Sequence, residues 1–250
     1  MITIRLRVPS DTAGLRPGAA RRAGARAASV VLGLLAMIGA ALILSPAASW
    51  CAPPSGSESV AASDPTATVK AILDQATVVV QNKQLSPAER DKQLRAIAEA
   101  NFNFSDMART TLGYHWRQLT PQQHDQFVPL FTSFMEDVYL GKLQDYGVEK
   151  IRQDVARSNV SFIGQNFDGP DYAEVHSAVV LKDRPQPAKV DYLLKRDGAA
   201  WKIYDLEIDA ISVMANYRNQ FNRVINDNGY PALVSTLQKK SQQLGSTLNK

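Results

Sequence analysis

The stretch Lys189–Phe221, KVDYLLKRDGAAWKIYDLEIDAISVMANYRNQF, contains three consecutive elements. Apolar and polar residues alternate over Val190–Lys195, which predicts a half-buried strand, and Asp197-Gly198 supplies the positive φ of a tight hairpin. Aromatic and branched residues over Trp201–Ile208 predict the partner strand. Beyond this strand the apolar spacing changes from two residues to nearly four, which predicts an amphipathic helix. A hairpin therefore leads directly into a helix that must fold back over the sheet, and we expect the functional site in that angle.

Helix signals dominate the chain before this stretch. Asp64-Pro65, Ser86-Pro87-Ala88-Glu89 and Thr120-Pro121-Gln122-Gln123 each place a capping side chain before a proline at the first helical position, and the last two have the spacing of a capping box. A short helix is predicted from about Phe104 to Leu112. The helix that begins at Thr120 is the longest, its apolar face is rich in aromatic residues, and Pro129 is expected to kink it.

Strand patterns follow these helices. The sequence predicts strands over Ile151–Val155, Val160–Phe167 and Tyr172–Leu181, ahead of the hairpin described above. Two further helices are predicted, from Ile211 to Gly229 and from Pro231 onward. The predicted class is α+β, with about six or seven helices and an antiparallel sheet of four or five strands in one domain, residues 65–245.

The positive charge of the chain is concentrated at its start. Six arginines and one aspartate give residues 1–26 a charge of +5, so the other residues carry −1 of the total of +4. An almost neutral body argues against nucleic acid as a partner.

An apolar run, Ala27–Leu44, follows this basic segment, and small residues follow the run. This order is typical of a secretory signal peptide, which we assign to residues 1–49, with a flexible leader over residues 50–64. An uncleaved membrane anchor is the alternative. Arg21-Arg22 lacks the bulky apolar residues that follow a twin-arginine signal. Cys51 is the sole cysteine, so no intramolecular disulfide forms.

Few residues suggest catalysis. None of the three histidines, His115, His124 and His176, lies in a metal or nucleophile motif, and no metal ligand or catalytic residue is assigned. Asp191, Asp205, Glu207 and Asp209 form a carboxylate cluster that we interpret as a solvated strand end. Large aromatic residues and methionines are numerous, and they suit either an adaptable apolar cavity or a filled core.

Two segments resemble a known family. FNFSDMARTTLGYHWRQLTPQQHDQF (Phe102–Phe127) and GAAWKIYDLEIDAISVMANYRNQF (Gly198–Phe221), with the VDYLL of the preceding strand, are similar to the MlaC family, also called toluene-tolerance auxiliary transport proteins. The resemblance covers about residues 65–244. One departure is Ala210, where the family usually has glycine between strand and helix.

This resemblance implies a fold and a function. It implies a cone of helices around a curved sheet, similar to the nuclear-transport-factor-like architecture, that encloses an apolar lipid pocket. It also implies a periplasmic carrier, with no cofactor and no enzymatic activity, that moves glycerophospholipid and so maintains outer-membrane asymmetry. The implied partners are an inner-membrane ABC transporter with an MCE-domain subunit and an outer-membrane lipoprotein–porin complex, and a monomer is expected. A small-molecule enzyme on the same fold and a membrane-tethered interaction protein are the alternatives.

The expected pocket wall combines apolar residues of the sheet and of the helices that face it. The predicted lipid-binding residues are Met107, Leu112, Trp116, Phe131, Met135, Tyr139, Val175, Val179, Val190, Tyr192, Leu194, Tyr204, Leu206, Met214, Tyr217 and Phe221. Arg109, Arg117 and Arg218 are candidates for a head-group rim, because guanidinium binds phosphate through two hydrogen bonds.

Overall fold

The computed structural model describes residues 64–180 and 185–248, where seven α-helices and one 3-10 helix accompany a five-stranded sheet. The predicted signal peptide and nearly all of the predicted leader lie outside these residues. The helices are α1 (Pro65–Gln81), α2 (Pro87–Asn101), α3 (Phe104–Leu112), the 3-10 helix (Gly113–Gln118), α4 (Pro121–Tyr146), α5 (Val148–Arg157), α6 (Val213–Asn228) and α7 (Tyr230–Leu248). The strands are β1 (Asn159–Asp168), β2 (Tyr172–Val180), β3 (Ala188–Asp197), β4 (Ala200–Ile208) and β5 (Ile211–Ser212).

The predicted capping residues begin their helices. Asp64 and Ser86 accept hydrogen bonds from the backbone amides of Thr66 and Glu89 at the starts of α1 and α2. At the start of α4, Thr120 and Gln123 exchange both hydrogen bonds of a capping box. Pro129 lies inside α4, and the helix continues on both sides of it. None of the helices in the described ranges combines the length and the apolarity that crossing a membrane requires.

One predicted strand is wrong. Residues 151–155 belong to α5, which begins after Gly147 at φ 87°. Ile151 and Val155 are both buried, and they lie four residues apart on one helical face, with polar residues between them. Two branched residues separated by three polar ones fit a single helical turn as well as a short strand, and burial against the domain favours the helix.

The sheet is an antiparallel meander in which the strand order equals the chain order, β1-β2-β3-β4-β5. Its register shifts at two bulges, one between Phe162 and Gly164 of β1 and one opposite Leu193 and Leu194 of β3, where Tyr204 is the extra residue of β4. The α+β class and the antiparallel arrangement of the prediction are confirmed.

Alternate residues of the central strands bury one face of the sheet. The fully buried side chains of this face include Val175, Val190, Tyr192 and Trp201. The helices pack against this face. The start of α1 is fixed to β1, because the backbone amide and the hydroxyl of Thr66 donate to Gln165 Oε1 at 3.1 and 2.7 Å. Apolar burial on this face is the main source of the domain's stability.

A tight turn connects the sheet to α6. Asp209 and Ala210 both have positive φ, 51° and 64°, and Ile208 and Ile211 pair on either side of them. Two-residue hairpin loops with positive φ at both positions most often have glycine at the second position. Alanine at 210 therefore carries a backbone strain that glycine would not. Because β5 takes Ile211 and Ser212, α6 begins at Val213, two residues later than predicted.

Candidate apolar binding site

A cavity of about 80 Å³ lies among the first four α-helices. The residues that line it are Ile72 and Ala76 of α1, Leu94, Arg95, Ile97 and Ala98 of α2, Phe102, Phe104 and Met107 around α3, and Met135, Glu136, Tyr139, Leu140 and Leu143 of α4. Nearly all of these side chains are apolar, so the cavity is suited to hydrocarbon rather than to a polar solute.

Helix α2 forms the least buried wall of this cavity. Its only buried residues are the charged Arg90 and Asp91, and its apolar residues Leu94, Ile97 and Ala98 are only partly buried. Arg90 Nε and Asp91 Oδ1 have no hydrogen-bond partner. Because α2 buries fewer apolar residues than the other three helices around the cavity, displacing it would expose the least new apolar surface.

Arg95 connects α2 to α4 at the cavity. Its Nη1 donates to Glu136 Oε2 and its Nη2 to Asp137 Oδ1, both at 2.6 Å. The Arg95 side chain is 30% exposed, so this end of the cavity meets solvent. Burial raises the pKa of Glu136, and its hydrogen bond to Arg95 partly opposes that shift. Asp137 also accepts a short hydrogen bond from the Ser241 hydroxyl of α7.

The predicted wall residues divide into three groups. Met107, Met135 and Tyr139 line the cavity. A second group is buried in the core between the sheet and the helices and does not line the cavity, namely Leu112, Phe131, Val175, Val179, Val190, Tyr192, Leu194, Leu206, Met214, Tyr217 and Phe221. The remaining two, Trp116 and Tyr204, are only partly buried and lie elsewhere.

These last two residues have other neighbours. Trp116 stacks on His124, with ring centroids 3.9 Å apart. Tyr204 contacts Tyr172 edge-on, at 6.0 Å, on the less buried face of the sheet. The bulge explains the placement of Tyr204, because an extra residue in β4 reverses the alternation that the sequence suggests. A lipid-binding role for the sixteen predicted residues remains a prediction.

Tyr139 also faces the centre of the domain. Burial raises its pKa well above the usual range. The Lys142 ammonium lies 5.0 Å from the centroid of its ring, and burial lowers the pKa of Lys142 to about 8. Tyr192 is fully buried on β3, and burial raises the pKa of its hydroxyl well above the usual range. Polar groups therefore occur inside the largely apolar domain, and of these three only Tyr139 lines the cavity.

The three predicted rim arginines do not line the cavity. Arg109, Arg117 and Arg218 are all exposed, and Arg109 pairs with Asp106 at 2.9 Å. Their proposed role at a lipid head group remains a prediction. The arginine that does line the cavity is Arg95, which the sequence analysis missed. The sequence did contain a signal for it. A single arginine lies between the apolar positions Leu94 and Ile97, and two adjacent acidic residues, Glu136 and Asp137, interrupt the apolar pattern of α4.

Asp205 corrects the prediction of a solvated strand end. It is 6% exposed, and it accepts hydrogen bonds from the backbone amides of Leu206 and Met214 and from the hydroxyl of Ser212. Burial raises its pKa, and these hydrogen bonds oppose that shift. The carboxylate therefore fixes the start of α6 to β4 rather than contacting solvent.

His176, one of the three histidines, lies away from the cavity. His176 is on the less buried face of the sheet, where its Nδ1 is 2.9 Å from Asp191 Oδ1 and its Nε2 is 3.0 Å from the Asn166 amide. Glu174, His176 and Asp191 each offer a ligand atom within 4.8 Å of the others, so they are the residues that a metal ion would use. No cavity-lining residue belongs to this group, so a catalytic role for His176 would be separate from the apolar site.

Solved structures support the fold. The chain is similar to a phospholipid-binding protein from Ralstonia solanacearum, solved in complex with a phospholipid, with a TM-score of 0.60 and 24% identity. The match covers 73% of this chain and 99% of that chain. The comparison with curated proteins gave no match.

The comparison with sequence families gives a single assignment. The sequence model described as MlaC protein matches residues 69–239. This range includes most of α1, all of α2 to α6 and the whole sheet. It therefore contains every residue that lines the cavity. Because the match spans more than half of the 250 residues, the chain belongs to the MlaC family.

Proposed function

We propose that the protein is a periplasmic glycerophospholipid carrier whose acyl-chain site is the cavity among α1, α2, α3 and α4. The observation that carries the proposal is the lining of this cavity, which is apolar except for Arg95, Glu136 and the Tyr139 hydroxyl. A fold similar to that of a phospholipid-binding protein supports it. Hydrocarbon chains gain free energy from such a lining, whereas a polar substrate would lose its hydration there.

The size of the cavity implies that loading changes the structure. A volume of about 80 Å³ is well below the roughly 300–1,000 Å³ of ordinary ligand pockets, and far too small for two acyl chains. The helices must therefore separate when lipid binds. Helix α2 is the natural moving part, because its apolar side chains are only partly buried and already face the cavity. We expect Leu94, Ile97 and Ala98 to become acyl-chain contacts in the loaded state.

The energetics explain why a carrier would unload only at a partner. Two chains of about fifteen carbons correspond to roughly 20 kcal/mol of gross transfer free energy, which is comparable to the limit of non-covalent affinity. Spontaneous release into water is therefore slow. In our proposal release occurs on docking to an inner-membrane ABC transporter with an MCE-domain subunit or to an outer-membrane lipoprotein–porin complex. Export by residues 1–49 and a monomeric carrier complete the proposal.

The test is mass spectrometry of the protein purified from the periplasm of an expressing Gram-negative host. Native spectra and lipid extracts should give close to one glycerophospholipid per chain, and the denatured mass should place the N-terminus near residue 50. Leu94→Trp, which fills the cavity from α2, should reduce the bound lipid. Ala88→Trp on the exposed start of α2 is the control and should leave it unchanged.

A lipid-free wild-type chain would contradict the carrier function. Full lipid binding by Leu94→Trp would instead contradict the assignment of this cavity. Retention of the apolar run Ala27–Leu44 in the mature mass would contradict the exported carrier and favour a membrane-tethered protein.

A further inference from the structure

Two charged side chains interrupt the apolar lining of the cavity, Arg95 from α2 and Glu136 from α4. They bind each other through Arg95 Nη1 and Glu136 Oε2. Arg95 marks the point where the cavity meets solvent, since its side chain is 30% exposed, and Glu136 is its hydrogen-bonded neighbour on the buried side. A lipid whose acyl chains occupy the cavity would place its head group beside these two residues.

Glu136 has an oxygen without a partner. Its side chain is only 7% exposed, and Oε1 accepts no hydrogen bond, although Oε2 is bound to Arg95. The neighbouring Asp137 differs, because one of its oxygens binds Arg95 and the other binds Ser241. Buried carboxylate oxygens are rarely left unsatisfied. Glu136 Oε1 therefore marks a position for a hydrogen-bond donor.

Arg95 retains donors for an anion. A guanidinium group has five N–H bonds, and Arg95 uses one for Glu136 and one for Asp137. Phosphate oxygens are suitable acceptors for the remaining donors. The group of Arg95, Glu136 and Asp137 has a formal charge of −1. It therefore favours a zwitterionic head group, which carries a positive charge beside its phosphate, over an anionic head group.

We propose that Arg95 and Glu136 form a head-group subsite for phospholipids with a primary ammonium, such as phosphatidylethanolamine. In this subsite Arg95 donates to the phosphate and Glu136 Oε1 accepts a hydrogen bond from the ammonium. A choline head group has no N–H donor and leaves Oε1 unsatisfied. A glycerol head group offers a hydroxyl but leaves the lipid with a net negative charge. The proposal rests on the carrier function and specifies its cargo.

The test is a competition among lipids. Delipidated protein is incubated with vesicles that contain equal amounts of phosphatidylethanolamine, phosphatidylcholine and phosphatidylglycerol of identical acyl chains, and the bound lipids are quantified by mass spectrometry. We expect about tenfold enrichment of phosphatidylethanolamine over phosphatidylcholine, the size of one charge-assisted hydrogen bond. Glu136→Met should abolish this enrichment.

Glu149→Met is the matched control. Glu149 also pairs with an arginine, Arg152 at 3.2 Å, but its side chain is 60% exposed and does not line the cavity. This variant should keep the wild-type enrichment. Binding of diacylglycerol, which has the acyl chains without the head group, should be unchanged in Glu136→Met, and that result shows that the acyl site is still folded.

Arg95→Lys separates the phosphate contact from folding. Lysine keeps the charge but not the planar set of donors, so the preference for phospholipid over diacylglycerol should fall. An equal uptake of the three phospholipids by wild type, or enrichment that persists in Glu136→Met, would overturn the subsite and leave the carrier function standing. No uptake of any lipid by wild type would overturn both.

Discussion

Helices α2 and α6 both lie beside the interior of the domain, but they are held in opposite ways. Helix α6 buries five apolar residues, Val213, Met214, Tyr217, Phe221 and Val224, and Asp205 fixes its first turn to β4. Helix α2 buries no apolar residue completely. Its polar attachments are the ion pairs of Arg95, the hydrogen bond from Gln144 of α4 to Asp91, and the junction with α3, where the backbone amide of Asn103 donates to Ile203 O at 2.8 Å.

The difference indicates how one small domain can be both stable and able to open. Apolar burial is cooperative and is lost only on unfolding, whereas a helix with little apolar burial of its own separates from its neighbours at a lower cost in free energy. The α6 side therefore provides a permanent core, and the α2 side provides the adjustable wall of the cavity.

The largest expected effect comes from removing a ring on the α6 side. Phe221 is 1% exposed and packs against Phe131, Phe134 and Tyr217, so Phe221→Ala should lower the free energy of unfolding by about 3–5 kcal/mol. Leu94→Ala on α2 should cost only about 1 kcal/mol, because Leu94 is partly buried. Urea denaturation measures both values. Equal losses would remove the distinction between the two helices.

The attachment of α6 to β4 should give the second largest effect. Asp205→Ala leaves the buried amide of Met214 without its acceptor, so we expect a loss of about 2–4 kcal/mol. Asp197→Ala removes an exposed carboxylate that pairs with Lys202, and it should change stability far less than Asp205→Ala does. Thermal unfolding followed by circular dichroism tests the pair. A small loss for Asp205→Ala would mean that packing alone holds α6.

A stabilising change is expected at the turn before α6. Ala210→Gly removes the cost of a positive φ of 64° and should raise stability by about 0.5–1 kcal/mol. Ala215→Gly, the same substitution in the first turn of α6, should lower stability by about 0.5–1 kcal/mol. Chemical denaturation of the two variants should therefore shift the midpoint in opposite directions. A loss in both would show that the turn relaxes without strain.

The smallest effect concerns pH on the α2 side. Burial raises the pKa of Glu136 in the folded state, so its stabilising contribution is fully present below its unfolded pKa and is lost as pH rises through its folded pKa. The free energy of unfolding of Glu136→Gln, minus that of wild type, should therefore increase as pH rises from about 4, the ordinary carboxyl range, to 7. Denaturation curves at several pH values give this difference. A difference that is constant with pH would contradict the sign of the shift.

Much of the fold could be predicted because its signals are local. The residue pairs Asp64-Pro65 and Thr120-Pro121 determine where helices begin, and Gly198 at φ 62° closes the predicted hairpin. The strand predicted over residues 151–155 failed because a short pattern of two apolar residues fits both periods, and only packing decides between them.

The site was predicted less well, since it depends on how distant elements meet. Tyr204 faces the other side of the sheet because of a bulge that alternation does not reveal. Arg95 and Glu136 are 41 positions apart, and an arginine in an amphipathic helix ordinarily faces solvent. Met107, Met135 and Tyr139 do line the cavity. They could be predicted because large, adaptable side chains on the apolar face of a helix are a local signal.

The strand order of the sheet has a consequence for folding kinetics. Each of the five strands pairs only with its neighbour in the chain, so hairpin closure needs short loops and loses little chain entropy. Low contact order of this kind favours fast formation of the meander. The Phe102–Ile203 bridge, in contrast, joins positions about a hundred residues apart. We therefore expect the sheet with α6 to form the folding nucleus and the junction of α2 and α3 to dock late.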